Sequence, residues 1–393
     1  MQILYIWDAD YPWDIRVEKI CKTLARNGYG VHIAARNLKK RPENEVIDGL
    51  QIHRLKSIQN GTLNYALSFP VFFSPVWRKF LDRIIAKNNI KLLIVRDLPM
   101  AIAAIWAGER HGIPVVLDMA EDYLAMIWDI WRAKKFHGFN LVVRNPYLVK
   151  FVEKYVFNKA DHIWVVIEEA IKVVVRGGGI PEQVTVVSNT PDLSVFSNTE
   201  TETNDDFRFI RKRFSAIYTG GIQMGRGIQT VLGALPQIIT KIPDFLFVIV
   251  GDGYATEALK RIVVERSLQN HVLWVGWVDH YKIFDYIRMS KVGLIPHFVT
   301  DHVNTTIPNK IFDYMGCGVA VVSSDAVPMK RILEEEKCGL TFRSGDSNDL
   351  AKCIINIHED GMLYGRNGVE AVKQKYHWKE DERRLLAAVK SLC

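Results

Sequence analysis

Lys310 and Asp313 stand three residues apart in VNTTIPNKIFDYMGCGVAVVSSD (303–325). On a helix that spacing puts both side chains on one face. Thr305 or Thr306 is placed to cap the helix, and Pro308 suits its first turn. Free N–H groups at such an end attract phosphate oxygens. Lys310 adds positive charge there, and Asp313 can accept two hydrogen bonds from a ribose diol. GCG (316–318) then gives a tight exit into the strand VAVVS. The segment reads as a cradle for a nucleotide diphosphate. The competing reading is a capped helix with a surface Lys–Asp pair.

A second candidate is YTGGIQMGRGIQTVLGAL (218–235). A strand ends, a Gly-rich turn follows and a helix begins. Gly220 and Gly221 let the backbone approach a phosphate, and Arg226 can bind it through two nitrogens. The spacing is close to a P-loop, but Arg226 stands where Lys belongs and Gly227 where Ser or Thr would hold Mg²⁺. That argues against a P-loop NTPase. No strand opens into G-x-G-x-x-G, so a dehydrogenase lacks its fingerprint. VGDG (250–253) places Asp252 and Gly253 at another strand end, where they can admit a base or ribose.

In the first half, VVLDMAEDY (115–123) carries Asp118, Glu121 and Asp122 to the carboxyl edge of a strand. Clustered carboxylates raise one another's pKa and can supply a base. Acids capping the next helix are the alternative. The loop WDADYPWDIRV (7–17) offers aromatic faces that can stack on a sugar and Arg16 to bind a phosphate; the alternative is a loop whose aromatics pack on neighbouring helices. In RNPYLVKFVEKYVFNKA (144–160), Leu148, Phe151, Val152, Tyr155 and Val156 follow helical spacing. Arg144, Lys150, Lys154 and Lys159 accompany them. Such a helix either lies on an anionic membrane or packs its stripe inward with the lysines solvated.

These groups need elements to hold them. Apolar, β-branched runs recur at 3–7, 31–35, 91–95, 114–118, 162–167 and 184–188. A second series lies at 214–219, 245–250, 271–276, 292–296, 319–323 and 339–342. Runs without polar alternation fit parallel strands buried on both faces, and helix-length segments separate them. The fold class is therefore α/β, with two Rossmann-like doubly wound parallel-sheet domains facing across a cleft. The polar stretch 194–210 joins them. The expected domains are 1–193 and 194–376. A closing helix at 377–393 packs back on the first.

The 393 residues suffice for two domains, and 48% hydrophobic with 24% charged residues excludes disorder as the main state. No apolar run approaches the ~20 residues of a membrane span, and MQILYIWDAD reads as a first strand, not a leader. A cytoplasmic protein is expected. Five scattered cysteines form no C-x-x-C pair, which leaves zinc ribbons and redox motifs unsupported. His297 and His302 lack a metal-ligand pattern, so no metal is expected. The net charge of +7 resides wholly in residues 1–190, and residues 131–160 alone carry +6. That asymmetry suits a surface facing something anionic. No nucleic-acid module is present, so a membrane is favoured over nucleic acid.

Taken together, the segments resemble glycosyltransferase family 4, the retaining enzymes of GT-B fold. The likeness runs from YPWDIRVEKICKTLARNGYGVHIAAR through ADHIWVVIEEA and VTVVSNTPDLSVF. It continues through YTGGIQMGRGIQTVL, FLFVIVGDG, HVLWVGWV, GLIPH, IPNKIFDYMGCGVAVVSSD and KCGLTF to YHWKEDERRLL. The form P-x-K-x-x-[DE]-Y-M-x-x-G looks most like bacterial enzymes of surface-polysaccharide synthesis.

The resemblance implies a nucleotide-sugar donor of UDP or GDP type in the C-terminal domain. It implies a glycan or polyprenyl-linked acceptor in the N-terminal one, and catalysis without a metal or other cofactor. Donor contacts fall on Gly220, Gly221, Arg226, Asp252, Gly253, Thr305, Thr306, Lys310 and Asp313. Acceptor contacts fall on Asp14, Arg16 and Asp122, and catalytic roles on Glu121, Arg226 and Lys310. Where the family commonly has two glutamates with seven residues between them, this chain has Thr305 and Asp313. Its diphosphate-binding Arg and Lys match Gly221 and Arg226, and a frequent His matches Ala120, with Glu121 adjacent. These departures keep open a catalytically inactive partner that binds nucleotide-sugar or membrane, and a nucleotide-sugar epimerase of GT-B fold is a separate alternative.

Overall fold

A computed structural model describes residues 1–12, 14–133, 138, 140–196 and 205–392. Trp13 of the first loop, residues 134–137 and 139 of the basic stretch, residues 197–204 of the polar joint, and Cys393 lie outside the described residues. The chain divides into two compact units, Met1–Asn189 with Asp381–Cys393, and Thr190–Glu380. Each boundary falls a few residues from the one expected.

The first unit is built on eight strands: β1 (Gln2–Asp10), β2 (Gly30–Arg36), β3 (Asn44–Ile47), β4 (Leu50–Arg54), β5 (Ile90–Arg96), β6 (Val115–Met119), β7 (His162–Val165) and β8 (Val184–Val186). Their order is β3-β4-β2-β1-β5-β6-β7-β8. All neighbours are parallel except the β3–β4 hairpin. The middle strands are buried on both faces, as Ile3, Leu4, Tyr5, Ile6, Leu92, Leu93 and Ile94 show, which requires helices above and below. The closing helix Trp378–Ser391 returns to this unit, where Asp381 accepts the Ser188 amide at 3.0 Å.

The second unit has β9 (Ser215–Thr219), β10 (Leu246–Val250), β11 (Val272–Gly276), β12 (Val292–Ile295), β13 (Ala320–Ser324) and β14 (Gly339–Phe342). The order is β11-β10-β9-β12-β13-β14, all parallel. Its core includes Tyr218, Leu232, Phe245, Phe247, Ile249, Leu294, Val322 and Ile354.

In both sheets the chain winds outward from a central strand in one direction and then the other. The reversal falls between β1 and β5 in the first sheet and between β9 and β12 in the second. Loops diverge at the carboxyl ends of such a strand pair and leave a crevice, where ligands of open α/β sheets bind. No described helix is long and apolar enough to cross a membrane.

Candidate functional site

In the second unit, the loop after β9 and the loop after β12 meet at the reversal. Phe298 N donates to Gly225 O at 3.1 Å and ties the two together. Gly227 makes the approach possible: its φ is +72°, and a Cβ there would lie 1.7 Å from Pro296 O. Arg226, just before it, places Nη1 3.4 and 3.5 Å from the two ring nitrogens of His297. His297 is 2% exposed. Burial, with Lys310, Arg226 and His302 nearby, holds its pKa well below the usual histidine value, so the ring is neutral at physiological pH.

Lys310 opens a short helix, Lys310–Gly316. Its Nζ lies over the Tyr218 ring, 3.9 Å from the centroid. The Tyr218 hydroxyl donates to Gly221 O at 2.8 Å, which fixes the ring beneath the amine. Gly220 has φ +115°, and a Cβ there would come within 3.3 Å of Lys310 Nζ. Burial and Arg226 push the Lys310 pKa well down, opposed by Asp313. Among the described residues neither Lys310 nor Arg226 forms an ion pair. The Arg226 guanidinium, an amine whose hold on its proton is weakened and a neutral imidazole thus share a crevice floored by glycine backbone. The favourable occupant of such a place is an anion.

The other expected donor residues are arranged differently. Thr305 and Thr306 do not cap the helix that carries Lys310. The cap is Asn309, without a side-chain hydrogen bond, and the helix begins one turn later than expected. Thr305 ends a separate turn, Val303–Thr305. Its hydroxyl donates to Asp301 O and His302 O, both at 3.1 Å, and the Thr306 hydroxyl to His302 O at 3.1 Å. Hydroxyls with carbonyls in reach satisfy themselves locally, which the spacing alone does not reveal. Asp313 shares the Lys310 helix. Asp252 is exposed, and its carboxylate accepts from Gly253 N at 2.7 Å and Thr256 Oγ1 at 2.8 Å, which lowers its pKa. Gly221 is exposed beside Gly220.

The first unit corrects two expected acceptor contacts. Arg16 is 3% exposed and spent on structure. Its Nε and Nη2 meet Asp118 at 2.9 and 2.5 Å, and Nη1 donates to Val187 O at 3.0 Å and Asn189 Oδ1 at 2.7 Å. Tyr5 Oη adds a hydrogen bond to Asp118 at 2.5 Å. This buried cluster fastens β1, β6 and the segment after β8, so every Arg16 nitrogen is already engaged within the protein. Asp122 is likewise buried and caps a helix through Ala125 N at 2.9 Å. Asp14 caps the helix Ile15–Arg26, accepting from Arg16 N and Val17 N, and pairs with Arg96.

Two residues at the β1–β5 reversal carry more than their sequence context suggests. Arg96 lies 4.4 Å over the Trp7 ring and 3.5 Å from Asp97. Asp97, at φ +57°, accepts from Ala120 N at 2.9 Å and Glu121 N at 3.2 Å. Burial, with Glu121, Asp118 and Asp8 close, pushes its pKa up to about 7 against the pull of Arg96. It thereby holds Glu121 at the edge of the same crevice. The available signal was an acid immediately after the apolar run KLLIVR.

The basic helix Pro146–Lys159 divides its apolar residues. Val149, Val152, Val156 and Phe157 are buried, whereas Tyr147, Leu148 and Phe151 are 64%, 44% and 74% exposed. The expected single stripe is therefore two. Among the described residues no group of three or more His, Cys, Asp or Glu side chains is arranged to hold a metal ion.

Comparison with known proteins places both units. Residues 14–190 match the model of the glycosyl transferase 4-like domain, and residues 213–360 that of glycosyl transferases group 1. A phosphatidyl-myo-inositol mannosyltransferase of Mycolicibacterium smegmatis is 28% identical over 156 residues, 39% of this chain and 38% of that protein. The match thus spans well under half of that relative. An N-acetyl-alpha-D-glucosaminyl L-malate synthase of Bacillus anthracis is 20% identical over 370 residues, 92% of this chain and 88% of that one. The solved sucrose-phosphate synthase of Thermosynechococcus elongatus shares the fold at TM-score 0.77 and 19% identity, covering 100% of this chain and 98% of its own.

Proposed function

The chain belongs to the GT-B glycosyltransferases, and from that premise we propose that it moves a sugar, with retention of configuration, from a nucleotide-diphosphate donor to a glycan or polyprenyl-linked acceptor. The observation that carries this reading is the juxtaposition of Arg226 and Lys310, neither in an ion pair among the described residues, beside Gly220 and Tyr218 at the β9–β12 reversal. A diphosphate there supplies the negative charge that both side chains lack.

The donor's bond from the anomeric carbon to the β-phosphate oxygen breaks, and its electron pair stays on that oxygen. Arg226 and Lys310 stabilise the charge that builds there. The acceptor oxygen bonds to the anomeric carbon on the same face, and its proton passes to the departing phosphate. In this reading the two cations do the neutralising that a metal does elsewhere, so no metal is required. Asp313 takes the ribose diol from the helix that carries Lys310. Glu121, held through its backbone by Asp97, serves on the acceptor side. Its neighbours Asp14 and Asp122 act there only through the helices that they cap.

Residues Tyr147, Leu148 and Phe151, with Lys150 and Lys154 on the same helix, support a peripheral contact with an anionic membrane. A surface-polysaccharide role agrees with such a location. The test of the reaction is transfer of labelled sugar to a prenyl-linked acceptor, with the product's anomeric configuration read by NMR. The account expects the donor's configuration in the product. An inverted product contradicts it.

A further inference from the structure

Arg36 ends β2 at the carboxyl edge of the first sheet, opposite Asp10 at the end of β1. It is 8% exposed, yet among the described residues it has no ion pair. Its Nη2 reaches Ser68 Oγ at 3.4 Å, a weak contact, and its buried Nε has no hydrogen-bond partner among the described residues. The rings of Tyr65 and Phe69 lie 5.1 and 5.9 Å from the guanidinium carbon and 5.6 Å from each other, so the two together form one wall beside it. Asp10 is engaged elsewhere, accepting from Leu38 N and Lys39 N.

Taking a guanidinium out of water without a counter-charge costs several times what a neutral hydrogen bond returns. Burial duly pulls the Arg36 pKa down, against Tyr65, Asp8 and Asp10. Arg16 and Arg54, the other buried arginines near it in sequence, are both fully matched: Arg16 to Asp118, and Arg54 to Glu45 at 2.7 Å. A guanidinium with no ion pair among the described residues, set beside two adjacent rings at the edge of a parallel sheet, suits an oxyanion.

We propose that Arg36 is a preformed anion-binding residue that takes a phosphate or carboxylate group of the acceptor, with Tyr65 and Phe69 walling the site. This rests on the reading that the first unit binds the acceptor. It narrows the acceptor class to molecules that carry an acidic group. Leu63 and Leu67, 48% and 42% exposed on the Tyr65 helix, offer an apolar surface beside it, so the anion can come from a lipid phosphate or from a soluble acid.

The test is anion-dependent thermal stabilisation of the intact protein at constant ionic strength, with UDP saturating. The probes are inorganic phosphate, succinate and geranyl phosphate. Wild type is expected to be stabilised saturably by phosphate or by succinate, and the stronger one names the acidic group. Tighter binding of geranyl phosphate than of phosphate assigns a lipid source, and equal binding a soluble one. Arg36→Gln is expected to weaken the response at least about tenfold, while its melting temperature without anion stays level or rises, because an uncompensated buried charge is gone. If Arg36→Gln does not fold, Arg36→Lys decides, since it keeps charge and loses the fork. An unchanged anion affinity in the variant, or no anion response in wild type, overturns the proposal. Loss of the UDP response bears on Arg226 and Lys310 and not on Arg36.

Discussion

Replacing Lys310 by Ala has two effects of opposite sign. The amine sits in a place that opposes its charge, its pKa held well down by burial and by Arg226. Removing it relieves that cost, so the ligand-free protein is expected to melt at the same temperature as wild type or higher. The same amine is one of two cations facing the proposed diphosphate. A hydrogen bond to a charged group is worth about 1.5–3 kcal/mol, so its loss weakens nucleotide affinity by roughly 10- to 100-fold. At a UDP concentration of about 100 times the wild-type dissociation constant, ligand stabilises wild type by about 2.7 kcal/mol. A variant binding about 100-fold more weakly retains about 0.4 kcal/mol under the same conditions. Calorimetric titration gives the affinity, and urea melts with and without UDP give the stabilisation. Unchanged UDP affinity in Lys310→Ala refutes the assignment. A variant that loses affinity only because its own stability has collapsed refutes the reasoning about buried charge.

Other outcomes follow from the same geometry. Binding of a diphosphate raises the depressed Lys310 pKa, so the complex takes up a proton and affinity falls as pH rises above the free amine's pKa. Titrations in buffers of different ionisation enthalpy measure that uptake, and none is found if Lys310 is not the contact. Gly227→Ala must move the Pro296 carbonyl and adopt positive φ, which lowers the unfolding free energy by about 2 kcal/mol or more, read from urea melts, and weakens UDP binding with it. Arg16→Ala strands Asp118 without its counter-charge and destabilises by about 3–5 kcal/mol; a pure change in acceptor KM at full stability contradicts the structural role. Glu153 is 6% exposed, and burial with Asp122 nearby raises its pKa to about 8 against Lys150. Its contribution to stability is complete below about pH 4.5 and is lost as pH rises to about 8, a few kcal/mol in all. Glu153→Gln flattens that slope, and urea melts at pH 5 and pH 9 that differ as much as wild type count against it.

Much of the fold is legible because parallel strands buried on both faces leave unbroken apolar runs. All six strands of the second sheet stand out in this way. The pair β3 and β4 does not, because a hairpin at the sheet edge alternates: Leu50, Ile52 and Arg54 are buried while Gln51 is exposed. The signal that marks it is the turn Asp48-Gly49. The site is legible where chemistry and backbone coincide, as at Lys310 and Arg226. It is hidden where a polar side chain is consumed by the fold. Arg16 and Asp118 are 102 residues apart, and only the sheet brings them together. Nothing in WDADYPWDIRV says that its arginine points inward. Asp97 is missed for the converse reason: one acid after a strand gains its raised pKa from β1 and β6, not from its own neighbours in sequence.

The central claim is that the second unit binds a nucleotide-diphosphate sugar. The most direct measurement is a melting-temperature series with UDP-, GDP-, dTDP- and CMP-sugars on wild type and Lys310→Ala. The account predicts a saturable rise with one nucleoside-diphosphate sugar that the variant largely loses. No rise with any of them, or an equal rise in the variant, contradicts it.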